Sequence, residues 1–439
     1  MSRYYIETWG CQMNELDTQR MSGQLEQQGM ERVEDPEHAD LILLNSCSIR
    51  EKAEQKAYSR LGQYRLLKQD NRDLRIGFTG CVAQQEGEEA LRRVHDLDFV
   101  LGTGRVGELG RVAEQSRRTG ERIVATGFPD DRHYDMDSIS REGSHKGMVT
   151  IIEGCNKRCT FCIVPTTRGP ERSRTMAEIL AEVHDLVAQG FLEIELLGQT
   201  VNHWTEPDND EIDFADLLDA VAQVPGVERL RFVTSYPRDF SQRMVDMFAK
   251  HANLSSYLHL PVQSGSNKVL RRMGRGYQVE AYDRLIESLR EARPELALST
   301  DLIVGFPGET DDDFQQTLDL VERTRYASIY AFKYSPRPGT PALRLKDPEV
   351  PLDTADRRLQ SLFQLQTRIQ RELNEGMVGK ELDLLVTGWS RQPGYQSGRS
   401  SCHRVVHFAC GENPAEIGSL VSVRATHAND HSLLGERVA

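Results

Sequence analysis

Hydrophobic positions along the chain fall into short runs that alternate with helical stripes. "RYYIETWG" (3–10) reads as a strand and is followed by a helical pattern from about Asn14; "ADLILLNS" (39–46) is followed by another from about Glu51. "LRIGFTG" (74–80) and "DFVLG" (98–102) repeat the scheme. This β-α-β-α order predicts an open parallel α/β domain over residues 1–117. Residues 118–146, which include most of the acidic, breaker-rich "TGFPDDRHYDMDSISREGSHKG", read as a linker. Six further strand-like runs, from "MVTIIEG" (148–154) to "ASIYAFKYS" (327–335), alternate with stripes such as Ile179, Val183, Leu186 and Val187 in "MAEILAEVHDLVAQ". They predict a central partial (β/α)6 TIM-like barrel over 147–375, shorter than the closed eightfold form. A long helix from about Thr354 to Asn374 precedes a change of pattern near Gly376. The short β-like runs of 376–439 fit a small all-β barrel.

Composition adds a class. The 439 residues, 38% hydrophobic and 28% charged, belong to a folded globular chain of several domains, with no repeat or low-complexity block. The first residues lack a basic-then-apolar leader and the longest apolar runs are strand-length, so a cytoplasmic protein without a membrane partner is expected. In that compartment cysteines more often bind metal or do chemistry than form disulfides. The net charge of −13 argues against non-specific coating of nucleic acid. Two local segments run the other way: "KVLRRMGRG" (268–276) and "KRCTFCIVPTTRGPERSR" (157–174) are basic enough to meet phosphates, or to form a solvated face.

The eight cysteines sharpen the picture. Cys11, Cys47 and Cys81 each lie at the exit of a predicted parallel strand ("ETWGC", "LLNSC", "GFTGC"). Loops after the strands of an open sheet share one edge, so the three thiols converge there, or else are buried structural cysteines. Helix N-termini beside them favour thiolates. Cys155, Cys159 and Cys162 in "EGCNKRCTFC" follow the first barrel strand, at the mouth where such barrels carry chemistry. Three thiolates leave one position open on a four-iron cluster; a zinc site completed by the distant His203 is the alternative. Cys402 and Cys410, with His403 and His407, are either two structural thiols or a zinc site.

The C-x3-C-x2-C spacing after a barrel strand resembles that of radical S-adenosylmethionine enzymes. "TWGCQMNELDTQ", "NSCSIREKAEQK", "GCVAQQEG", "LGQTVNHW", "HLPVQSGSNKVLRRMGRGY", "DLIVGFPGET" and "YSPRPGTPA" extend the likeness over nearly the whole chain to the methylthiotransferase family. The final segment, "GRSSCHRVVHF" to "HSLLGE", resembles its TRAM domain, an RNA-binding module. "CSIREKA" and "RVVHF" favour the type acting on N(6)-dimethylallyladenosine in transfer RNA over those acting on threonylcarbamoyl-adenosine or a ribosomal protein.

The resemblance implies two 4Fe–4S clusters, one on Cys155, Cys159 and Cys162 and an auxiliary one on Cys11, Cys47 and Cys81. It also implies two uses of S-adenosylmethionine: as methyl donor to sulfur at the auxiliary cluster, and as source of the 5′-deoxyadenosyl radical that activates carbon 2 of adenine. Implied partners are the transfer RNA anticodon stem-loop and an electron donor of flavodoxin or ferredoxin type, with the chain a monomer. Phe161 matches a position near the adenine of the cosubstrate. Gln199, Asn202, His259, Gln263 and Arg272 are candidate contacts to cosubstrate or substrate. "GFPGE" lacks the lysine of a phosphate loop, and Gly305 and Gly308 read as a turn admitting the cosubstrate. Tyr4, Tyr5, Trp9 and Trp204 are candidate base stackers or core, and Arg399 and Arg404 candidate phosphate contacts. The chain departs from the family at Thr166 and Arg158, where aromatics are usual, so no stacking is assigned there. A metal-containing RNA-binding protein without catalysis is the alternative from another class.

Overall fold

The run Leu41–Ser46 is buried at every position, as a strand is inside a sheet covered on both faces. The computed structural model describes residues 2–48, 51–130, 139–141 and 145–438. Residues 49–50 of "CSIREKA" and 131–138 and 142–144 of the expected linker lie outside them. By contacts the chain divides into two units. The first comprises Met1–Gly143, Glu153–Lys157 and Cys162–Arg172; the second comprises Ser144–Ile152, Arg158–Phe161 and Ser173–Ala439.

In the first unit, β1 (Arg3–Trp9), β2 (Glu31–Arg32), β3 (Leu41–Ser46), β4 (Arg75–Thr79), β5 (Phe99–Leu101) and β6 (Ile123–Ala125) form one parallel sheet, ordered β2-β1-β3-β4-β5-β6. Two apolar layers flank it. One gathers Ile42, Leu44, Tyr64, Phe78 and Val82, the other Tyr4, Leu25, Leu43, Phe99 and Leu109. The alternation of strand and helix was readable; β6 was not. It lies in the stretch read as linker, and its three half-buried residues join the sheet edge beside β5.

The second unit carries β7 (Gly147–Glu153), β8 (Arg172–Ser173), β9 (Glu193–Gly198), the hairpin β10 (Thr205–Glu206) and β11 (Asn209–Asp213), β12 (Arg229–Phe232), β13 (Tyr257–His259), β14 (Ala297–Val304) and β15 (Ser328–Lys333). Six of these are the strands expected of the partial barrel, running as sheets β12-β9-β7-β8 and β13-β14-β15. Helix Met176–Ala188 shows why such segments fold locally. Thr175 and Glu178 close a capping box, and Ile179, Val183 and Leu186 are buried. Gly190, at φ +93°, follows its C-terminal end. Helix Leu352–Glu375 packs Leu362 and Ile369 into the same core.

Finally, β16 (Glu381–Trp389), β17 (Tyr395–Ser400), β18 (Val405–Ala409), β19 (Leu420–Ala428) and β20 (Leu433–Arg437) close a barrel in the order β16-β17-β18-β20-β19 around Leu384, Val386, Phe408 and Val423. It docks where the barrel strands begin. Arg229, at the start of β12, donates to the carbonyls of Arg399 and Asp383 at 2.9 Å each, and the His403 ring stacks on Tyr257 at 4.5 Å. Within this unit Cys159 lies in the loop that follows β7, toward the opposite strand ends.

One carboxylate ties several loops together. Asp313 accepts from Ser266 Oγ (2.7 Å), Lys268 Nζ (2.8 Å), Thr310 N (2.9 Å) and Thr310 Oγ1 (2.8 Å), and caps helix Asp311–Thr324. Burial alone would raise its pKa; Lys268, Ser266 and Thr310 outweigh it and hold the carboxyl well below the usual range. Asp313→Ala is expected to cost about 2–3 kcal/mol at pH 7. Because the folded pKa is depressed, that difference is complete above the unfolded value near pH 4 and shrinks as pH falls below it. Denaturant unfolding of both proteins at pH 7 and pH 3 checks this; a gap that widens in acid would contradict it.

Candidate active site

Three strand exits of the first unit bring their cysteines together. Cys11 is the extended residue before helix Gln12–Gln27, Cys47 follows β3, and Cys81 stands in the first turn of helix Gly80–Glu86 after β4. Cys47 is within hydrogen-bonding reach of both Cys11 and Cys81, so the thiols form a row with Cys47 in the middle. The backbone is built for this approach. Gly80 has φ +90°, and a Cβ there would stand 2.4 Å from Asn45 Oδ1 and the Ser46 carbonyl. Asn45 Nδ2 in turn donates to the Asn14 carbonyl (2.8 Å) and Thr18 Oγ1 (3.0 Å), fixing the first helix turn against β3.

The electrostatics favour thiolates at the two ends of the row. Hydrogen bonding from Cys47 brings Cys11 down to about 6 against the opposing effect of burial, aided by Arg168 and the amides of Asn14 and Met13. Cys81 comes down to about 7 for the same first reason, again with Arg168. Cys47 is pushed far up by Cys11, Cys81 and burial. The cation beside them, Arg168, is only 6% exposed and pairs with buried Asp17 at 2.7 Å. Burial works against its charge, but Asp17 and the thiolates of Cys81 and Cys11 raise its pKa further. Burial pushes the Asp17 carboxyl up, with Arg168 and Arg20 pulling the other way.

Among the described residues, no group of three or more His, Cys, Asp or Glu side chains is arranged to hold a metal ion. The sulfur-only donor set, the adjacent helix N-terminus and the buried cation fit an iron–sulfur cluster, whose ligands are thiolates.

The second triplet lies on the loop between β7 and helix Val164–Arg168. Cys155 N donates to the Gly169 carbonyl (3.0 Å), and Lys157 N points to Cys155 Sγ (3.4 Å). Gly154, at φ +76°, is required: a Cβ would meet the Pro170 carbonyl at 2.1 Å. In the second unit, Arg275 Nη1 donates to Cys159 Sγ (3.5 Å). Cys162 is half-buried. Three sulfur donors closely spaced in sequence again fit a cluster with one iron left open.

The other candidates divide. Phe161 packs on Val269, Met273, Phe306 and Ala342. Gln199 sits just past β9, and Gln263 is held at φ +78°, an unusual backbone for a non-glycine residue that marks candidate sites. His259, at the end of β13, bonds Ser299 Oγ through Nδ1 (2.8 Å) and faces Asp301 through Nε2 (3.5 Å). Asn202 spends both ends of its amide on the Tyr236 backbone (2.9 and 2.7 Å), and Arg272 is tied to the Gly308 carbonyl (2.9 Å) and Asp347 (2.5 Å). In the turn expected to admit a cosubstrate, a Cβ at Gly305 would stand 2.9 Å from that of Ala355.

The structure places the remaining candidates. The basic segments are divided: Arg168, paired with Asp17, Arg174, paired with Glu182 (2.6 Å), and Arg275 are buried, while Arg158, Arg172, Lys268 and Arg271 are exposed. Tyr4 and Trp204 are fully buried, hydrogen-bonded to Glu26 and the Arg174 carbonyl, so neither presents a face to a base. Tyr5 meets Tyr64 edge-on, and Trp9 bonds Glu7. Arg399 and Arg404 bond the His403 carbonyl and Asn374. Cys402 lies against Ser400 and Arg404, and Cys410 against the Gly394 carbonyl, with no shared donor set among the described residues. Asp17, Arg168 and Arg275 were missed. Their only trace in sequence is an arginine followed by glycine near, or facing, a cysteine loop.

Comparisons with known proteins bear on the family and the fold. Residues 3–102 match the model of a family described as Uncharacterized protein family UPF0004, and residues 149–321 that of the Radical SAM superfamily. A protein of Aromatoleum aromaticum named tRNA-2-methylthio-N(6)-dimethylallyladenosine synthase is 44% identical over 447 residues, covering 100% of this chain and 99% of its own. One of Chromobacterium violaceum with the same name is 44% identical over 440 residues, covering 99% and 98%. Among solved structures, the radical S-adenosylmethionine methyltransferase TsrM of Kitasatospora setae, with tryptophan substrate and a SAM analog bound, matches with a TM-score of 0.56 at 16% identity. It covers 90% of this chain and 78% of that one, a likeness of fold.

Proposed function

The chain belongs to the radical S-adenosylmethionine methylthiotransferases named tRNA-2-methylthio-N(6)-dimethylallyladenosine synthases, and from that premise we propose that it methylthiolates carbon 2 of N(6)-dimethylallyladenosine beside the anticodon of transfer RNA. The observation that carries this is full-length identity with relatives of that name. Two cysteine triplets, each at strand exits, support it.

Carbon 2 of adenine bears an unactivated C–H bond that no side-chain base removes usefully, so the hard chemistry belongs to cofactors. Two 4Fe–4S clusters and S-adenosylmethionine, when bound, supply the radical, the methyl group and the sulfur chemistry. The chain's own residues hold and tune them. Cys155, Cys159 and Cys162 present three sulfurs to one cluster, and Cys11, Cys47 and Cys81 to the other. Arg168, anchored by Asp17, offsets the negative charge gathered on the second set. An anticodon loop offers unstacked bases, and an enzyme working on one draws it into a pocket. The C-terminal barrel adds a further grip on RNA. No helix among the described residues is long and apolar enough to cross a membrane. For that activity we propose a cytoplasmic monomer served by a flavodoxin- or ferredoxin-like donor.

Parallel anaerobic incubations with S-adenosylmethionine, dithionite and sulfide test the substrate. One receives transfer RNA carrying dimethylallyladenosine, one transfer RNA carrying threonylcarbamoyl-adenosine, and one ribosomes. Mass spectrometry is expected to find the methylthio group in the first alone. Its appearance only in the second or third would overturn the substrate while leaving the chemistry standing.

A further inference from the structure

Arg275 is a buried cation whose polar partners among the described residues include no carboxylate. It is 5% exposed, and a guanidinium stays protonated at any working pH. Several other buried arginines face buried carboxylates: Arg168 has Asp17, Arg174 has Glu182, and Arg358 has Glu309, while Arg293 is held by the Leu254, Phe248 and His251 carbonyls. Arg275 donates instead to the Pro261 carbonyl (Nη2, 2.6 Å), the Tyr277 hydroxyl (Nε, 3.2 Å) and Cys159 Sγ (Nη1, 3.5 Å). Its guanidinium carbon lies 4.3 Å from the Tyr236 ring centroid and 5.4 Å from that of Tyr277. Among the described residues none of its polar partners is a carboxylate. A buried charge needs a counter-charge or a strong set of dipoles. The one partner able to become an anion as a cluster ligand is Cys159.

The backbone delivers Arg275 to that sulfur. Thr160 N donates to the Met273 carbonyl (2.9 Å) and Thr160 Oγ1 to the Arg272 carbonyl (2.8 Å). Gly274, at φ +70°, lets the two segments close: a Cβ there would stand 2.7 Å from the Arg158 carbonyl. The cysteine loop and the segment 272–275 are thus clamped on both sides of the arginine–sulfur contact.

We propose that Arg275 is a positioning residue for the radical cluster, holding the Cys159 sulfur by an N–H···S bond and raising the cluster's reduction potential. This rests on Cys155, Cys159 and Cys162 being that cluster's ligands. Reduction adds one negative charge to the cluster, so a fixed neighbouring cation and a hydrogen bond to a ligand sulfur stabilise the reduced state more than the oxidised one. The tyrosine rings and the Pro261 carbonyl fix the direction of the guanidinium, turning Nη1 toward the sulfur.

The test is an EPR-monitored dithionite titration of full-length Cys47→Ala protein reconstituted with iron and sulfide, in which only the radical cluster remains to be read. Parent, Arg275→Lys and Arg275→Met are compared. At the potential that half-reduces the parent, Arg275→Met is expected to show an approximately tenfold lower ratio of reduced to oxidised cluster, equivalent to about 59 mV for one electron. Arg275→Lys, which keeps the charge but loses the planar fork, falls between. Both variants titrating with the parent would overturn the proposal. Where the methionine variant does not hold iron, the lysine variant decides alone: a lower potential sustains the proposal and the parent's value overturns it. If Cys159→Ala in the same background still carries the parent's signal, the ligand assignment itself falls, and the role of Arg275 with it.

Discussion

Replacing Cys47 with alanine is expected to uncouple the two halves of the reaction: 5′-deoxyadenosine continues to form, while methylthiolated nucleoside falls by a hundredfold or more. Cys47 is the middle thiol of the row, in reach of both Cys11 and Cys81, so its loss divides the auxiliary set into two separate sulfurs. Losing a partner of a metal ligand commonly costs roughly 10–100-fold in affinity or activity, and losing a ligand costs more. The triplet at 155–162 is untouched by the change. Cys159→Ala is expected to remove both products, because no radical forms to activate the base. Chromatography of 5′-deoxyadenosine beside mass spectrometry of the digested RNA separates the two patterns. Full methylthiolation by the Cys47 variant would show that the N-terminal cysteines are structural thiols.

The largest effect on stability is expected from Asp17→Ala. Asp17 is 2% exposed; its carboxylate lies 2.7 Å from Arg168 and 3.9 Å from Arg20. Arg20 retains Glu153 at 3.3 Å, but Arg168 loses the carboxylate it bonds directly. Breaking a buried pair from one side costs about 3–5 kcal/mol because the remaining charge stays buried. For a unit of this size that lowers Tm by roughly 10 °C or more. The double variant Asp17→Ala, Arg168→Met removes both charges and is expected to recover most of the loss. Calorimetry of the cluster-free proteins decides. A single variant within about 1 kcal/mol of the parent, or a double variant worse than the single, would mean that the pair is not the anchor described.

The parts of the molecule that announce themselves by periodicity were legible in sequence. Leu41–Ser46 and the six barrel strands carry apolar runs of the right length, and their alternation with helical stripes leaves few topologies. The strand Ile123–Ala125 was not legible, since three half-buried residues at a sheet edge leave no pattern inside a stretch rich in breakers. The cysteines were legible because strand exits in an open sheet share an edge. The charges around them were not. "TTRG" and "MGRG" look like surface basic residues, and whether Arg168 meets solvent or Asp17 depends on a partner some 150 residues away in sequence. Trp204 had two readings, base stacker or core, that its place in a loop after a strand does not separate; its N–H finds the Arg174 carbonyl and the ring completes the barrel core.

The central claim is that each cysteine triplet holds its own cluster. Iron and acid-labile sulfide per chain, measured on anaerobically reconstituted parent, Cys47→Ala and Cys159→Ala proteins, test it most directly. Two 4Fe–4S clusters predict about eight irons in the parent and about four in either variant. A parent with about four irons, lost entirely in one variant and fully kept in the other, would contradict it and leave the chain with a single cluster.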